Sequence, residues 1–215
     1  MIKKLITLLI VISMSILPSC KKQKEYLPLI SQLRHDVFIY KCDDFKLTAY
    51  VESVENPIKE DGKVGKLENV ITFKMQALAQ NFESLSISFK INGESYSKQF
   101  EFKQIASLST CKIAVTDFPS KSFKANLKID DQLKTVELVS AKNSSTKDYL
   151  NAVDHLADSE ENFATVIKNK NCELRIRLID NDGYDYWFIG VVSTDKKLSY
   201  LLDGETLEII AKKVG

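Results

Sequence analysis

The sequence predicts a mostly β protein in two parts: a two-sheet β-sandwich over residues 35–140, then a small α+β unit over residues 141–215. Three observations carry this. Between Val37 and Val139, short segments alternate apolar and polar residues with a period of two, the pattern of half-buried strands. Turn residues punctuate these segments, most clearly Asn92-Gly93, a strong hairpin signal. After Ser140 the apolar spacing changes to that of one helix face, and alternation returns near Leu174.

The chain opens with an export leader over residues 1–19. Lys3 and Lys4 precede an apolar run from Leu5 to Leu17, and Pro18 and Ser19 end it. A charged start, a short apolar middle and a small-residue end are the three parts of a secretory signal. The run has 13 residues, where a spanning helix needs roughly 20. Leu17-Pro18-Ser19-Cys20 resembles the lipobox of bacterial lipoproteins, with Pro18 where that pattern usually has a small or β-branched residue. The resemblance implies that the Cys20 thiol receives a diacylglycerol and that the leader is cut before it. The new amino group is often acylated as well. It also implies a lipid-anchored protein on the extracytoplasmic side of a bacterial membrane. Two or three acyl chains hold stably where one holds only marginally. The competing reading is an ordinary secreted protein cut nearby.

Residues 20–34 are expected to form the lipid-anchored tether. Sixteen residues separate Cys20 from Val37, a reach of about 55 Å when extended. Leu29, Ile30 and Leu33 are spaced to form one helical turn against the body.

The strands follow in order. Phe45 to Val51, Ile71 to Met75 and Leu85 to Ile91 each alternate. Asn92-Gly93 turns the last of these into a return strand carrying Tyr96, Phe100 and Phe102. Cys111 to Val115, Phe123 to Ile129 and Leu133 to Val139 complete the set. Seven or eight short strands in about 100 residues indicate a two-sheet sandwich. Asn56 to Asn69 is the longest polar loop. Its Gly62 to Lys66 stretch lacks the spacing and the Ser or Thr of a phosphate loop, so a solvated mobile loop is expected.

Cys42, Cys111 and Cys172 stand 69 and 61 residues apart, which excludes a CxxC pair or a zinc knuckle. The separation of Cys42 and Cys111 resembles the inter-sheet pair of immunoglobulin domains, although no Trp lies between them and Ser109 stands where that family has Tyr. The resemblance implies an immunoglobulin-like sandwich and a Cys42–Cys111 disulfide. Three independent buried thiols are the other reading.

In the second unit, Ser145 is expected to cap a helix with Asp148 as its capping-box partner. Tyr149, Val153 and Leu156 form a buried face, and Asp158 and Ser159 offer a second cap before Phe163, Val166 and Ile167. One kinked helix or two short ones fit equally. Strands return at Leu174–Ile179, Tyr184–Ser193, Lys197–Leu202 and Thr206–Lys212, so the unit is helix plus antiparallel meander. The last hairpin, ending in Asp203-Gly204-Glu205-Thr206, faintly resembles PepSY domains, which are small extracytoplasmic modules of protease propeptides and membrane-associated proteins. In that family the order is Asp, then Thr-Gly-Glu.

Composition excludes some functions. The chain carries a formal charge of +1, and about −1 without Lys3 and Lys4, so no basic excess drives nucleic-acid binding. The two histidines, His35 and His155, do not form a metalloprotease pair, and no nucleophile elbow is present. Asp180-Asn181-Asp182-Gly183 is placed as a turn and lacks the EF-hand positions of Gly and Glu. No metal and no cofactor is expected. In the strand that follows, Tyr184, Tyr186 and Phe188 share one face, and Asp185, Trp187 and Ile189 the other. One face is core. The other offers Tyr184 and Tyr186, or Trp187, to a protein or glycan ligand.

The sequence therefore points to a non-catalytic, lipid-anchored extracytoplasmic binding or accessory protein. The alternative, implied by the PepSY resemblance, is a regulator or inhibitor of an extracytoplasmic protease. Cys20→Ala is expected to release the protein from membranes or leave it unprocessed, as read by cell fractionation and lipid labelling. A Cys20→Ala chain that stays with membranes while bearing neither lipid nor leader contradicts the anchor.

Overall fold

The computed structural model describes residues 24–215 apart from 60, 62, 79–81, 104–107 and 195. Cys20 and the expected leader lie outside the described residues. The fold is mostly β. Thirteen strands belong to one hydrogen-bonded sheet, and two short helices cover part of it. Among the described residues no helix is long and apolar enough to cross a membrane.

The first strand, β1 (Ile30–Lys41), organises everything else. From Gln32 to Lys41 it pairs antiparallel with β2 (Phe45–Glu55). Its other edge changes partner. Ile30 to Arg34 pair in parallel with β10 (Cys172–Asn181), whereas Phe38 and Ile39 pair antiparallel with β9 (Gln132–Ser140). The handover falls at a β-bulge between Arg34 and Asp36. Such bulges bend a strand and re-aim its side chains. Leu33 therefore packs into one core and Phe38 into another.

The first core fills a nearly closed antiparallel barrel. From β1 the sheet runs one way through β2, β3 (Leu67–Ala77), β7 (Leu108–Ala114) and the short β6 (Glu101–Lys103). The other way it runs through β9, β8 (Ser122–Ile129), β4 (Leu85–Ile91) and β5 (Glu94–Gln99). The strands expected to divide into the two sheets of an immunoglobulin-like sandwich are thus linked through β1 into one curled sheet. The remaining gap, between β5 and β7, is spanned by side chains: Tyr96 Oη lies 3.1 Å from Thr116 Oγ1, and Lys98 Nζ donates to Lys112 O at 2.9 Å. Phenylalanines fill the interior. Phe73 and Phe123 lie 5.3 and 5.6 Å from Phe89, and Phe38 lies 5.4 Å from Phe123. A small barrel filled this way is a packed core rather than a ligand cavity. Asn92 and Gly93 both take positive φ, 48° and 88°, as a type I′ hairpin requires.

The second core lies between the helices and a five-stranded sheet that extends outward from β1 through β10 and three later strands. After β10 come β11 (Tyr184–Ser193), β12 (Lys197–Asp203) and β13 (Ile209–Val214). Among the described residues the α-helices are two: α1 (Tyr149–Ser159) and α2 (Glu161–Lys168). Asp148, rather than Ser145, caps α1, its carboxylate accepting from Leu150 N at 2.9 Å. A residue three positions earlier cannot reach the N–H groups that the helix actually leaves open. Glu160 stands at the α2 N-cap without a side-chain cap bond. Ala152, Val153, Leu156 and Phe163 are fully buried against Leu174, Ile176 and Trp187.

The segment expected as tether is part of this core from Lys24 onward. Tyr26, Leu29, Ile30 and Leu33 are buried in it. Leu27–Leu29 form a single 3-10 turn, and Ile30 already begins β1. Tyr26 Oη donates to Asp154 Oδ1 at 2.7 Å, and burial pushes its phenol well above the ordinary range. The α+β unit is therefore built from both ends of the described chain, and the barrel strands are inserted between them.

Gly204 marks a close backbone approach within the α+β unit. Its N–H donates to Asp185 O at 2.8 Å, and its carbonyl accepts from Lys147 N at 2.8 Å. A Cβ there would stand 2.7 Å from Asp185 O and 2.9 Å from Asp185 Cβ. Gly204→Ala is expected to cost about 1–3 kcal/mol, the usual range for overpacking. At this chain length each kcal/mol lowers the melting temperature by roughly 2–4 °C. An unchanged thermal unfolding curve contradicts this close approach.

Candidate functional site

The helices cover one face of the five-stranded sheet and leave the other face open. Strand alternation decides what each face carries. On β10, Cys172, Leu174, Ile176 and Leu178 point to the helices, and Glu173, Arg175 and Arg177 point away. On β11 the open face carries Tyr184, Tyr186, Phe188, Gly190 and Val192. Register sets Arg177, Phe188 and Leu201 in one row across the strands, and Arg175, Gly190, Ser199 and Lys213 in the next.

These rows enclose a groove of about 640 Å³. Gly190 makes room for it. The Phe188 ring leans over this residue, with Cε1 3.2 Å from where a Cβ would stand. Arg175, Arg177, Lys196, Lys197 and Lys213 line the groove, and its described lining holds no carboxylate side chain. Beneath the rim, Glu173 is wholly buried, with Oε2 3.6 Å from an Arg175 guanidinium nitrogen.

The arginines form a linked row. Arg34 on β1 stands in register beside Arg177 on β10. Arg34 Nε donates to Glu52 Oε1 at 2.7 Å. Gln32 donates to the same oxygen at 3.3 Å and accepts from Arg177 Nε at 2.9 Å. The Arg34 guanidinium also lies 4.1 Å from the centre of the Tyr50 ring, and that of Arg177 5.8 Å from Phe188. Burial, and then the nearby Arg34 charge, lower the Arg177 pKa. Like charges held together in a partly desolvated place are costly, and a bound anion would relieve that cost.

The loop expected to be mobile is tied to this site. Glu55 is buried, and its Oε1 accepts from Gly65 N at 2.6 Å. Asn56 N donates to Lys66 O at 3.1 Å, closing the base of the loop. Lys59 O accepts from Arg175 at 3.4 Å.

Of the aromatic candidates, Tyr184 is exposed and Tyr186 half-buried on the open face, where they continue the Phe188 row toward the far end of the sheet. Trp187 points the other way and is 1% exposed, its Nε1 donating to Lys147 O at 3.0 Å. It belongs to the core and is not a surface for ligands. Asp185 shares its face. The carboxylate accepts from Asn143 N at 2.7 Å and from the Thr146 hydroxyl. Asp180 accepts from Gly183 N at 3.1 Å, closing the turn. Both carboxylates serve the backbone, and no cluster of three or more metal-ligating side chains occurs among the described residues.

The thiols are separate. Cys42, Cys111 and Cys172 are all free, so the Cys42–Cys111 bridge implied by the immunoglobulin resemblance is not formed. Cys111 faces the barrel core opposite Phe73 on β3, while Cys42 lies at the end of β1 with its Sγ 3.6 Å from Lys134 Nζ. Burial pushes Cys111 up to about 12 and Cys172 up to about 11, far from the range of a nucleophilic thiolate. His35 sits in the bulge, 3.1 Å from Ser53 Oγ and against Phe118, and burial lowers its pKa.

A second groove of about 650 Å³ runs over the outside of β4, β5 and β8. It is lined by serines with Lys90 and Lys124, and holds no arginine. No family model matches the chain, and no curated protein or solved structure matches it either.

Proposed function

We propose that this chain is a non-catalytic binding protein, held by lipid on Cys20 at the extracytoplasmic side of a bacterial membrane, that takes an anionic ligand on the open face of its five-stranded sheet. One observation carries the ligand class: the groove gathers Arg175, Arg177, Lys197 and Lys213 around Phe188 with no acidic side chain among its described lining residues. Arginine forks suit carboxylate and phosphate groups, and the Phe188 ring with the Gly190 gap suits an apolar part beside them. Tyr184 and Tyr186 extend the same face and would contact a longer ligand.

A photoreactive side chain in place of Ser199, in the groove, is expected to capture a ligand on intact cells. Arg177→Glu in the same chain is expected to reduce that capture at least tenfold, because it reverses the central charge (about 1.4 kcal/mol per tenfold, within the range for charge-assisted bonds). Capture that survives Arg177→Glu undiminished contradicts the anionic-ligand reading.

A further inference from the structure

We infer that the end of the α+β unit from which the chain leads back to Cys20 is a docking surface for anionic phospholipid headgroups. The inference rests on the lipid-anchor reading and adds an orientation to it.

The first observation is length. Lys24 is already fixed to the body: its ammonium pairs with Asp154, and the next residue, Glu25, pairs with Lys170 at 3.1 Å. Only residues 21, 22 and 23 lie between Cys20 and Lys24. Four Cα steps reach at most about 14 Å, a quarter of what a tether ending near Val37 would allow. A lipid on Cys20 thus holds this end against the headgroups and leaves the body little freedom to turn.

The second observation is charge. The Glu25–Lys170 pair sets the exit point beside the end of α2 and the start of β10. Thr165, Asn169 and Asn171 share a small cleft there with Thr194 and Lys196 of the β11–β12 turn. Lys197 and Gly215 exchange backbone hydrogen bonds at the same end, at 3.1 and 2.9 Å. Lys168, Lys170, Lys196, Lys197 and Lys213 are all exposed. Against them stand Glu25, already paired with Lys170, Asp154, already paired with Lys24, and the wholly buried Glu173; Asp195 precedes Lys196 in the sequence. Basic residues close to an anionic bilayer are drawn to its surface, and a basic patch beside a lipid anchor is the usual second signal for stable attachment.

The test uses residues 21–215 without lipid, a chain that contains every described residue of both cores. It is sedimented with vesicles of phosphatidylcholine alone, or of phosphatidylcholine with phosphatidylglycerol. Binding is expected only to the anionic vesicles, and is expected to fade near 1 M salt, where the Debye length falls to about 3 Å. Lys168→Glu with Lys170→Glu lies outside the groove and is expected to weaken binding at least tenfold. Lys128→Glu on the barrel is expected to leave binding unchanged. Equal binding to neutral and anionic vesicles, or no loss in the double variant, overturns the inference. A loss as large in Arg177→Ala as in the double variant also overturns it, by assigning the lipid contact to the groove. Failure of the vesicle test leaves the groove reading standing, since that reading is judged by Arg177-dependent capture.

Discussion

The pairing of β1 with three strands is the constraint on which the rest of the structure depends. β2 flanks it from Gln32 onward, while β10 and then β9 occupy its other edge. The exchange takes place at the bulge around His35, and polar contacts fix it. Asp36 accepts from Val37 N at 2.7 Å and from Ser140 Oγ at 2.8 Å, and Ala141 N donates to Val37 O at 2.8 Å. The chain therefore leaves the barrel at the point where β1 enters it. Burial raises the Asp36 pKa even as these donors oppose the shift, which marks the bond cluster as one held inside the junction.

The candidate site inherits this geometry. Arg34 belongs to β1 and Arg177 to β10, and only their parallel pairing brings the two guanidiniums together. Glu52, which balances them, comes from β2. A hairpin near the start of the described chain and a strand some 140 residues later thus supply one charge row, which ends beside the groove at Arg177. Truncated units would lose either the row or its counter-charge. The same strand lies beside the start of the described chain, so the placement of that end and the integrity of the sheet are one structural question.

Much of the local structure was legible. Tyr184–Ser193 was bounded correctly from alternation, and Asn92-Gly93 and Asp182-Gly183 form the turns their residue types favour. What escaped was non-local. Tyr26, Leu29, Ile30 and Leu33 are spaced like a helical stripe, and nothing in their spacing names β10, some 140 residues away, as their partner. The closure of the first sheet through β9 and β1 was equally hidden, which is why strands suited to a sandwich read as one. Arg175 and Arg177 were visible as alternate residues of a strand, but their meaning came from Arg34 beside them. On β11, alternation separates two faces without naming the buried one. The odd-numbered face, with Trp187, Ile189 and Val191, is the more uniformly apolar beyond Asp185, and it is the buried one.

The most direct test of the shared strand is residue-resolved hydrogen exchange with rising denaturant, which separates cooperative units by their opening free energies. Strands β2, β3 and β8 of the barrel and strands β10, β11 and β12 of the second sheet are predicted to converge on one global opening, with β1 protected equally on both sides of His35. Barrel strands that open at a lower free energy while β10 to β12 stay protected would contradict the account, because β1 would then be no more than a linker between two independent domains.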